Sequence, residues 1–312
     1  MFEGALTLRM VKTAILGCAL YRAMVGLTAG QQAKPEEEQP TIRLGVNLIL
    51  LHVSVVDRSG QFVSGFDKRD FQLFVDGAAR PITVFERDDA PVAAGILVDN
   101  SASMIRKGSE VVAASLAFAR ASNPQDEMFV VHFSDQVRLG LPPDKPFSGS
   151  IAELETALSR FAAEGATALY DAVAIAIGQL HKSKLERKVL LIISDGGDNS
   201  SREHLADVLR LAQEAGVIIY CIGIYDDADR DQNPHILTQF AQLTGGKAYF
   251  PSKLKDITDT CVKIAADIRQ QYTLGFEGKE DGDYHSIKVT LQSQTHEGLV
   301  VRTRTGYFAP QP

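Results

Sequence analysis

Val92-Ala-Ala-Gly-Ile-Leu-Val98, running directly into Asp99-Asn-Ser-Ala-Ser103, is the stretch that decides the fold. An apolar run with no polar face is expected of a strand buried on both sides within a parallel sheet. Downstream, helical and strand patterns alternate. An amphipathic helix is expected over Met104–Arg120, a strand over Met128–Phe133, and helices over Ser150–Phe161 and Leu169–His181. Ser150 with Glu153, and Ser200 with Glu203, have the spacing of capping boxes for the helices they precede. Val189–Ile193 and Val217–Ile224 read as further buried strands. Asn233-Pro234 reads as a cap with proline at the first helical position. A short strand, Ala248–Phe250, then leads to a last helix over Leu254–Gln271. Strands alternating with helices predict an α/β domain with a largely parallel sheet.

Outside that block the period is two. Ile42, Leu44, Val46, Leu48 and Leu50 alternate with polar or small residues, and the phase then shifts to Leu51, Val53 and Val55. A β-bulge would produce such a shift. Asp57-Arg-Ser-Gly60 and Asp76-Gly77 are turn signals, and Phe62, Phe66, Phe71 and Phe74 read as core. Period two returns at Ile287, Val289 and Leu291 and, after a turn at Glu297-Gly298, at Leu299, Val301 and Thr303. Neither β segment has strands enough to stand alone. The expectation is one β domain built from residues 42–90 and 272–310, with an α/β domain, residues 91–271, inserted between them.

A length of 312 residues has room for about two domains. With 45% hydrophobic and 23% charged residues the chain is not disordered. A net charge of -7 lacks the basic footprint of a nucleic-acid binder. Cys18, Cys221 and Cys261 form no CxxC pair and the histidines no HExxH, which argues against a thiolate zinc site and a redox dithiol. Cys221 and Cys261 read as buried thiols that could pair after export. In residues 1–30, Arg9 and Lys12 precede an apolar stretch, Thr13–Ala29, that is interrupted by Tyr21 and Arg22 and ends on small residues. It is short for a membrane span and has the layout of a signal peptide or an uncleaved anchor. Residues 31–41, with Lys34-Pro-Glu-Glu-Glu-Gln-Pro40, form a solvated linker. The expected location is therefore exported: periplasmic, cell-envelope or secreted, with membrane contact only through such an anchor.

Ligands of open α/β sheets bind beyond the carboxyl ends of the strands. Asp99, Ser101 and Ser103 leave the first buried strand there, with three oxygens aimed at one place. Alone, this composition also fits a turn or a helix cap. Two more loops open on the same edge, Gly165-Ala-Thr-Ala-Leu-Tyr-Asp171 and Ser194-Asp195-Gly196. Carboxylates and hydroxyls without His or Cys suit a hard divalent cation such as magnesium. Two carboxylates balance the ion's charge, and neutral hydroxyls leave it attraction for an outside carboxylate. Asp198 reads as a neighbouring ligand or a solvated loop residue. Asp171 reads as a brace for the loop or an acid at a helix N-terminus, and His132 as a core or edge histidine.

Asp99, Ser101 and Ser103, with Thr167 and Asp195 in chain order, resemble the metal-ion-dependent adhesion site (MIDAS) of a von Willebrand factor type A (VWFA) domain. Ala168-Leu-Tyr-Asp-Ala172 and Leu191-Ile-Ile-Ser-Asp-Gly196 match it too. The flanks, with Val55-Val-Asp-Arg-Ser-Gly60, Lys68-Arg-Asp-Phe71, Val75-Asp-Gly77 and Arg304-Thr-Gly-Tyr307, are similar to the bacterial VWFA-related proteins known from acidobacteria. The resemblance implies a doubly wound, mostly parallel Rossmann-like sheet over about 91–271, set in a small β-sandwich-like domain. It implies one divalent cation, Mg2+ or else Ca2+ or Mn2+, held by Asp99, Ser101, Ser103, Thr167 and Asp195. It further implies a protein partner offering an Asp or Glu carboxylate, and an adhesion-type binding module without catalytic residues.

Other readings fit less well. A haloacid-dehalogenase-like phosphatase with Asp99 as nucleophile needs a carboxylate two residues on, where Ser101 stands. The GxSxG of a serine hydrolase is absent. Thr244-Gly-Gly-Lys247 is followed by Ala248, where a phosphate loop requires Ser or Thr. A third reading is a structural envelope protein in which the metal serves stability alone.

Overall fold

The apolar runs Val92–Val98, Val189–Ile193 and Val217–Ile224 are buried throughout in the computed structural model, which describes residues 47–311 apart from 88, 161–163, 226–231 and 293–297. The leader, the linker, Cys18 and the first alternating residues lie outside the described residues. The chain opens with strands β1 (Leu48–Val56), β2 (Phe71–Val75), β3 (Ala78–Arg80), β4 (Val84–Glu86) and β5 (Val92–Asp99). There follow α1 (Gly108–Ala121), β6 (Glu127–Phe133), β7 (Val137–Leu139), α2 (Ile151–Leu158), α3 (Leu169–Leu180) and β8 (Arg187–Ser194). Next come α4 (Leu205–Glu214), β9 (Ile218–Gly223), α5 (Pro234–Thr244), β10 (Ala248–Tyr249) and α6 (Asp256–Arg269). The last strands are β11 (Tyr272–Glu277), β12 (Tyr284–Leu291), β13 (Val300–Arg302) and β14 (Gly306–Phe308).

The central sheet has six strands in the order β10-β9-β8-β5-β6-β7. All pairs are parallel except the last, β6 with β7. Every position of β5 is buried, which requires cover on both faces. Helices supply it: α1 packs on α2 and α6, and α3 on α4, which meets α5. This is the doubly wound α/β architecture, and its strand order reverses between β5 and β8.

The flanking strands form two four-stranded sheets, β13-β1-β11-β4 and β14-β12-β2-β3. Both contain strands from either end of the chain. β11 lies between β1 and β4, and β12 between β14 and β2. Their shared core holds Leu51, Val53 and Val55 from one end and Tyr272, Leu274 and Phe276 from the other. Tyr272 is fully buried, with its ring centroid 5.3 Å from Phe71, 5.8 Å from Phe85, 6.2 Å from Phe62 and 6.3 Å from Phe66. Its hydroxyl accepts the backbone N–H groups of Gly65 and Phe66.

Several local expectations are corrected. The phase shift at Leu50–Leu51 is not a bulge, since the β1–β11 register runs unbroken from Leu48↔Glu277 to Val53↔Tyr272. Leu48 is instead exposed at the strand's start. Phe74 is only half-buried, because alternation turns Phe71, Leu73 and Val75 inward and Phe74 to the other face. Ser150 precedes α2, but its side chain makes no capping bond; Glu153 turns instead to Lys145 and Ser148. α4 begins at Leu205, and the N–H groups of Arg202 and Glu203 go to Asp171 rather than to a Ser200–Glu203 box. The Asn233 cap is present, with its side chain accepting from Ile236 N and Pro234 in the first turn. At Asp76-Gly77 both residues have positive φ, the two-residue hairpin turn between β2 and β3.

His132 is a core histidine whose Nε2 lies 2.7 Å from the Ala157 carbonyl. Burial pushes its pKa down to about 4, with that backbone bond acting the other way. Two predictions follow from this packing. A fragment of residues 42–86 alone should stay unfolded by circular dichroism while residues 91–271 melt cooperatively, because the first lacks the strands that cover its edges. A cooperative melt of residues 42–86 would contradict the interleaving. A histidine with a depressed folded pKa contributes stability that is complete above the unfolded value and lost as pH falls toward the folded one. His132→Gln should therefore remove about 2 kcal/mol of the stability lost between pH 7 and pH 5 in denaturant titrations.

Candidate metal centre

Parallel pairing sets the ends of β5 and β8 side by side, with Val98 opposite Ile193. Asp99 closes β5 and Asp195 follows β8, so both carboxylates arrive at the same crevice, where the strand order reverses. Such a switch point is where open α/β sheets bind ligands. Both carboxylates are buried, as are Ser101 and Thr167.

A chain of hydrogen bonds joins four of the five candidate ligands. The Ser101 N–H donates to Asp99 Oδ1 at 2.8 Å, the Ser101 and Ser103 hydroxyls lie 3.0 Å apart, and Ser103 Oγ donates to Asp195 Oδ2 at 2.5 Å. The segment after Asp99 is a short 3-10 turn, Ala102–Met104, and this is why α1 starts at Gly108 rather than at Met104. Thr167 comes from the third loop, held against the first by Ala102 N–H donating to the Gly165 carbonyl at 3.3 Å. Its own backbone is fixed by Asn199: Thr167 N–H donates to Asn199 Oδ1, and the Thr167 carbonyl accepts from Asn199 and Ser200. Among the described residues its hydroxyl has no hydrogen bond to the other four.

Supporting residues were less visible in the sequence. Ser194 Oγ donates to Asp99 Oδ2 at 2.6 Å and accepts the Gly196 N–H at 3.0 Å, so one hydroxyl orients the first carboxylate and the loop carrying the second. Gly196 has a φ of 80°, and a Cβ there would lie 2.4 Å from the Asn233 carbonyl oxygen. No other residue fits without moving α5. Lys107 is buried and donates to the Ile224 carbonyl, tying the start of α1 to the end of β9. Asp198 accepts from Tyr170 N–H and Ser201 Oγ, and so serves the start of α3. Asp171 holds the 202–203 backbone. Both therefore brace the site's loops. The repeated Ser and Asn around Asp195 carried some of this signal, but composition alone does not say which carboxylate each one serves.

The electrostatics favour a cation. Burial, and next the charge of Asp195, push the Asp99 carboxyl up to about 6. Bonds from Ser101 and Ser194 oppose this shift. Two buried carboxylates, the charge of one raising the pKa of the other, make a negative pocket that a positive ion would relieve. Among the described residues no three His, Cys, Asp or Glu side chains gather as a metal cluster. The candidate ligands here are instead two carboxylates and three hydroxyls, a donor set that would suit a hard divalent cation. Cys221 and Cys261 are both buried as free thiols, with their pKa values raised by burial, and take no part.

The sequence model of the von Willebrand factor type A domain matches residues 95–261, more than half of the chain. The chain belongs to the von Willebrand factor type A domain family. The matched region runs from β5 into α6 and includes every candidate ligand. A von Willebrand factor type A protein from Catenulispora acidiphila shares the fold at 14% identity, with a TM-score of 0.51 over 83% of this chain and 74% of that one. BatB from Bacteroides thetaiotaomicron aligns at 14% identity and a TM-score of 0.46 over 56% of this chain and 98% of that one. Proximal thread matrix protein 1 from the mussel byssus, in a form with a zinc-occupied MIDAS motif, aligns at 19% identity and 0.48 over 64% and 50%. No curated protein matches the chain in sequence.

If Asp99 and Asp195 repel each other in the absence of an ion, removing one charge should not weaken the cation-free fold. Asp99→Asn should melt no lower than the wild type in a chelator. It should lose the stabilisation that saturating magnesium gives the wild type, about 2.7 kcal/mol at a hundred times Kd. Calorimetry on both proteins checks this, and an equal magnesium response would remove Asp99 from the ligand set.

Proposed function

We propose that this protein is a non-enzymatic binding module that captures an acidic residue of a partner protein through one divalent cation, with Mg2+ the expected ion. The hydrogen-bonded set Asp99–Ser101–Ser103–Asp195 at the switch point carries this reading. Thr167 is the fifth proposed ligand, placed by the loop that Asn199 fixes. Family membership supports it, since von Willebrand factor type A domains commonly bind a divalent cation at a MIDAS and often mediate metal-dependent contacts between proteins. Two carboxylates match the charge of a divalent ion, and hydroxyl ligands add none. The ion keeps its attraction for one further anion, and a side-chain carboxylate from outside fits that need. The residue two positions after Asp99 is Ser101, which cannot replace the general acid of a phosphatase. On the leader-like pattern of residues 1–30, the proposed setting is outside the cytoplasm, in the envelope or secreted.

Capture should depend on the ion and on the partner's carboxylate together. The test is affinity for a partner recovered by cation-dependent capture from an envelope fraction. It is measured in magnesium, in chelator, with Ser101→Ala, and after replacing the partner's Asp or Glu by the amide. Each of the last three should weaken binding about tenfold or more. Added salt should do less, since coordination is screened far less than a surface ion pair. Equal affinity throughout would reject the function even if the ion binds.

A further inference from the structure

A second concave site lies away from the crevice. Residues of β10, of β13 and of the Asp57–Gly60 turn line an open cleft of about 470 Å3. Three cationic side chains, Arg58, Lys247 and Arg302, stand in its walls against one acid, Asp57. That acid keeps its charge: Asp57 Oδ1 accepts Ser59 N–H, Ser59 Oγ–H and Gln61 N–H, and these bonds, that from the Ser59 side chain foremost, hold its pKa below the usual carboxylate value. Arg302 is paired with the buried Asp267. Lys247 and Arg58 have no carboxylate partner among the described residues, and the Lys247 ammonium sits 4.8 Å above the Tyr249 ring. Burial first, and then Arg302 with Lys263, lower the Lys247 pKa against the pull of Asp267. Arg58, Lys247 and Arg302 against Asp57 and Asp267 leave one positive charge unbalanced here, in a chain whose net charge is -7.

Two further features narrow the ligand. Phe250 and Val300, 42% and 54% exposed, give the cleft apolar lips. β10 and β13 are each the outermost strand of their sheet. The glycines of Thr244-Gly-Gly-Lys247 serve packing, since a Cβ at Gly246 would come within 1.9 Å of the Ile219 carbonyl oxygen. Gly246 and Lys247 of that motif both line the cleft, and only the lysine brings a charge to it.

We propose that this cleft is a second, metal-independent binding site for an extended acidic peptide of a partner protein. A carboxylate of the peptide meets Lys247 and Arg58, and an apolar neighbour lies against Phe250 and Val300. An inorganic anion would use the two cations and leave the apolar lips and strand edges uncovered. An extended peptide uses all three, as strand-edge recognition does elsewhere.

The experiment is fluorescence anisotropy on the full chain in a chelator, so that the metal centre contributes nothing. The probe is a labelled six-residue peptide of alternating Glu and Val. It should bind, and more weakly as salt rises. The matching Lys–Val peptide should not bind. The Lys247→Gln/Arg58→Gln variant should bind about tenfold more weakly with an unchanged melting temperature. Arg58→Gln alone, at an exposed turn, should show part of that loss. Three results would overturn the proposal: no binding by the wild type, equal binding by a folded double variant, or competition by inorganic phosphate as effective as that by unlabelled peptide.

Discussion

The parallel pairing of β5 with β8 is the constraint on which the site depends. Its register, from Val92↔Arg187 to Val98↔Ile193, fixes where both strands end and so where Asp99 and Asp195 stand. A slip of one residue would turn one of the two carboxylates to the opposite face of the sheet. The unbroken burial of β5 and the near-complete burial of β8 hold that register from both sides. A strained electrostatic arrangement is therefore carried by the best-packed part of the molecule. Two buried carboxylates near each other cost folding free energy, and a sheet covered on both faces can sustain that cost.

The sandwich is held to the central sheet by polar rather than apolar chemistry. Asp267, on α6, accepts from Ser54 of β1 at 3.0 Å and from the Tyr220 hydroxyl of β9 at 2.9 Å, and pairs with Arg302 of β13. Gln271 donates to both Ser54 and Tyr220. Arg187, at the start of β8, donates to the Ile268 carbonyl and to Gln271. Buried networks of this kind add little net stability, but breaking one member leaves the others uncompensated. Ser54, Tyr220, Asp267 and Arg302 thus join four elements separated widely in sequence. The aromatic cluster around Tyr272 begins just beyond, where α6 gives way to β11.

The two sites differ in the physics that would fill them. At the crevice, negative groups converge and call for a cation. In the cleft between β10 and β13, the three cations outnumber Asp57 and Asp267 by one. The first depends on coordination and the second on ion pairing with apolar contact, so a chelator and salt separate them.

Much was legible from residue order because it rests on local physics. Continuous apolar runs gave the buried strands, period two gave the flanking β segments, and Asp99-x-Ser101-x-Ser103 with Thr167 and Asp195 named the candidate oxygens, of which hydrogen bonds join all but Thr167. Asn233-Pro234 stated its own cap. What the sequence could not state were the partners of groups distant along the chain. Ser194 orients Asp99 across 95 residues, Asp171 replaces the expected Ser200–Glu203 box, and Asp198 serves α3. The supposed bulge at Leu50–Leu51 proved to be a change of exposure, because pairing register depends on the neighbouring strand and not on the strand's own pattern. Lys247 belonged to a motif without a function until folding set it beside Arg58 and Arg302. Periodicity is written along one segment. Which carboxylate meets which hydroxyl, and which cation is left unpaired, is decided only when the segments pack.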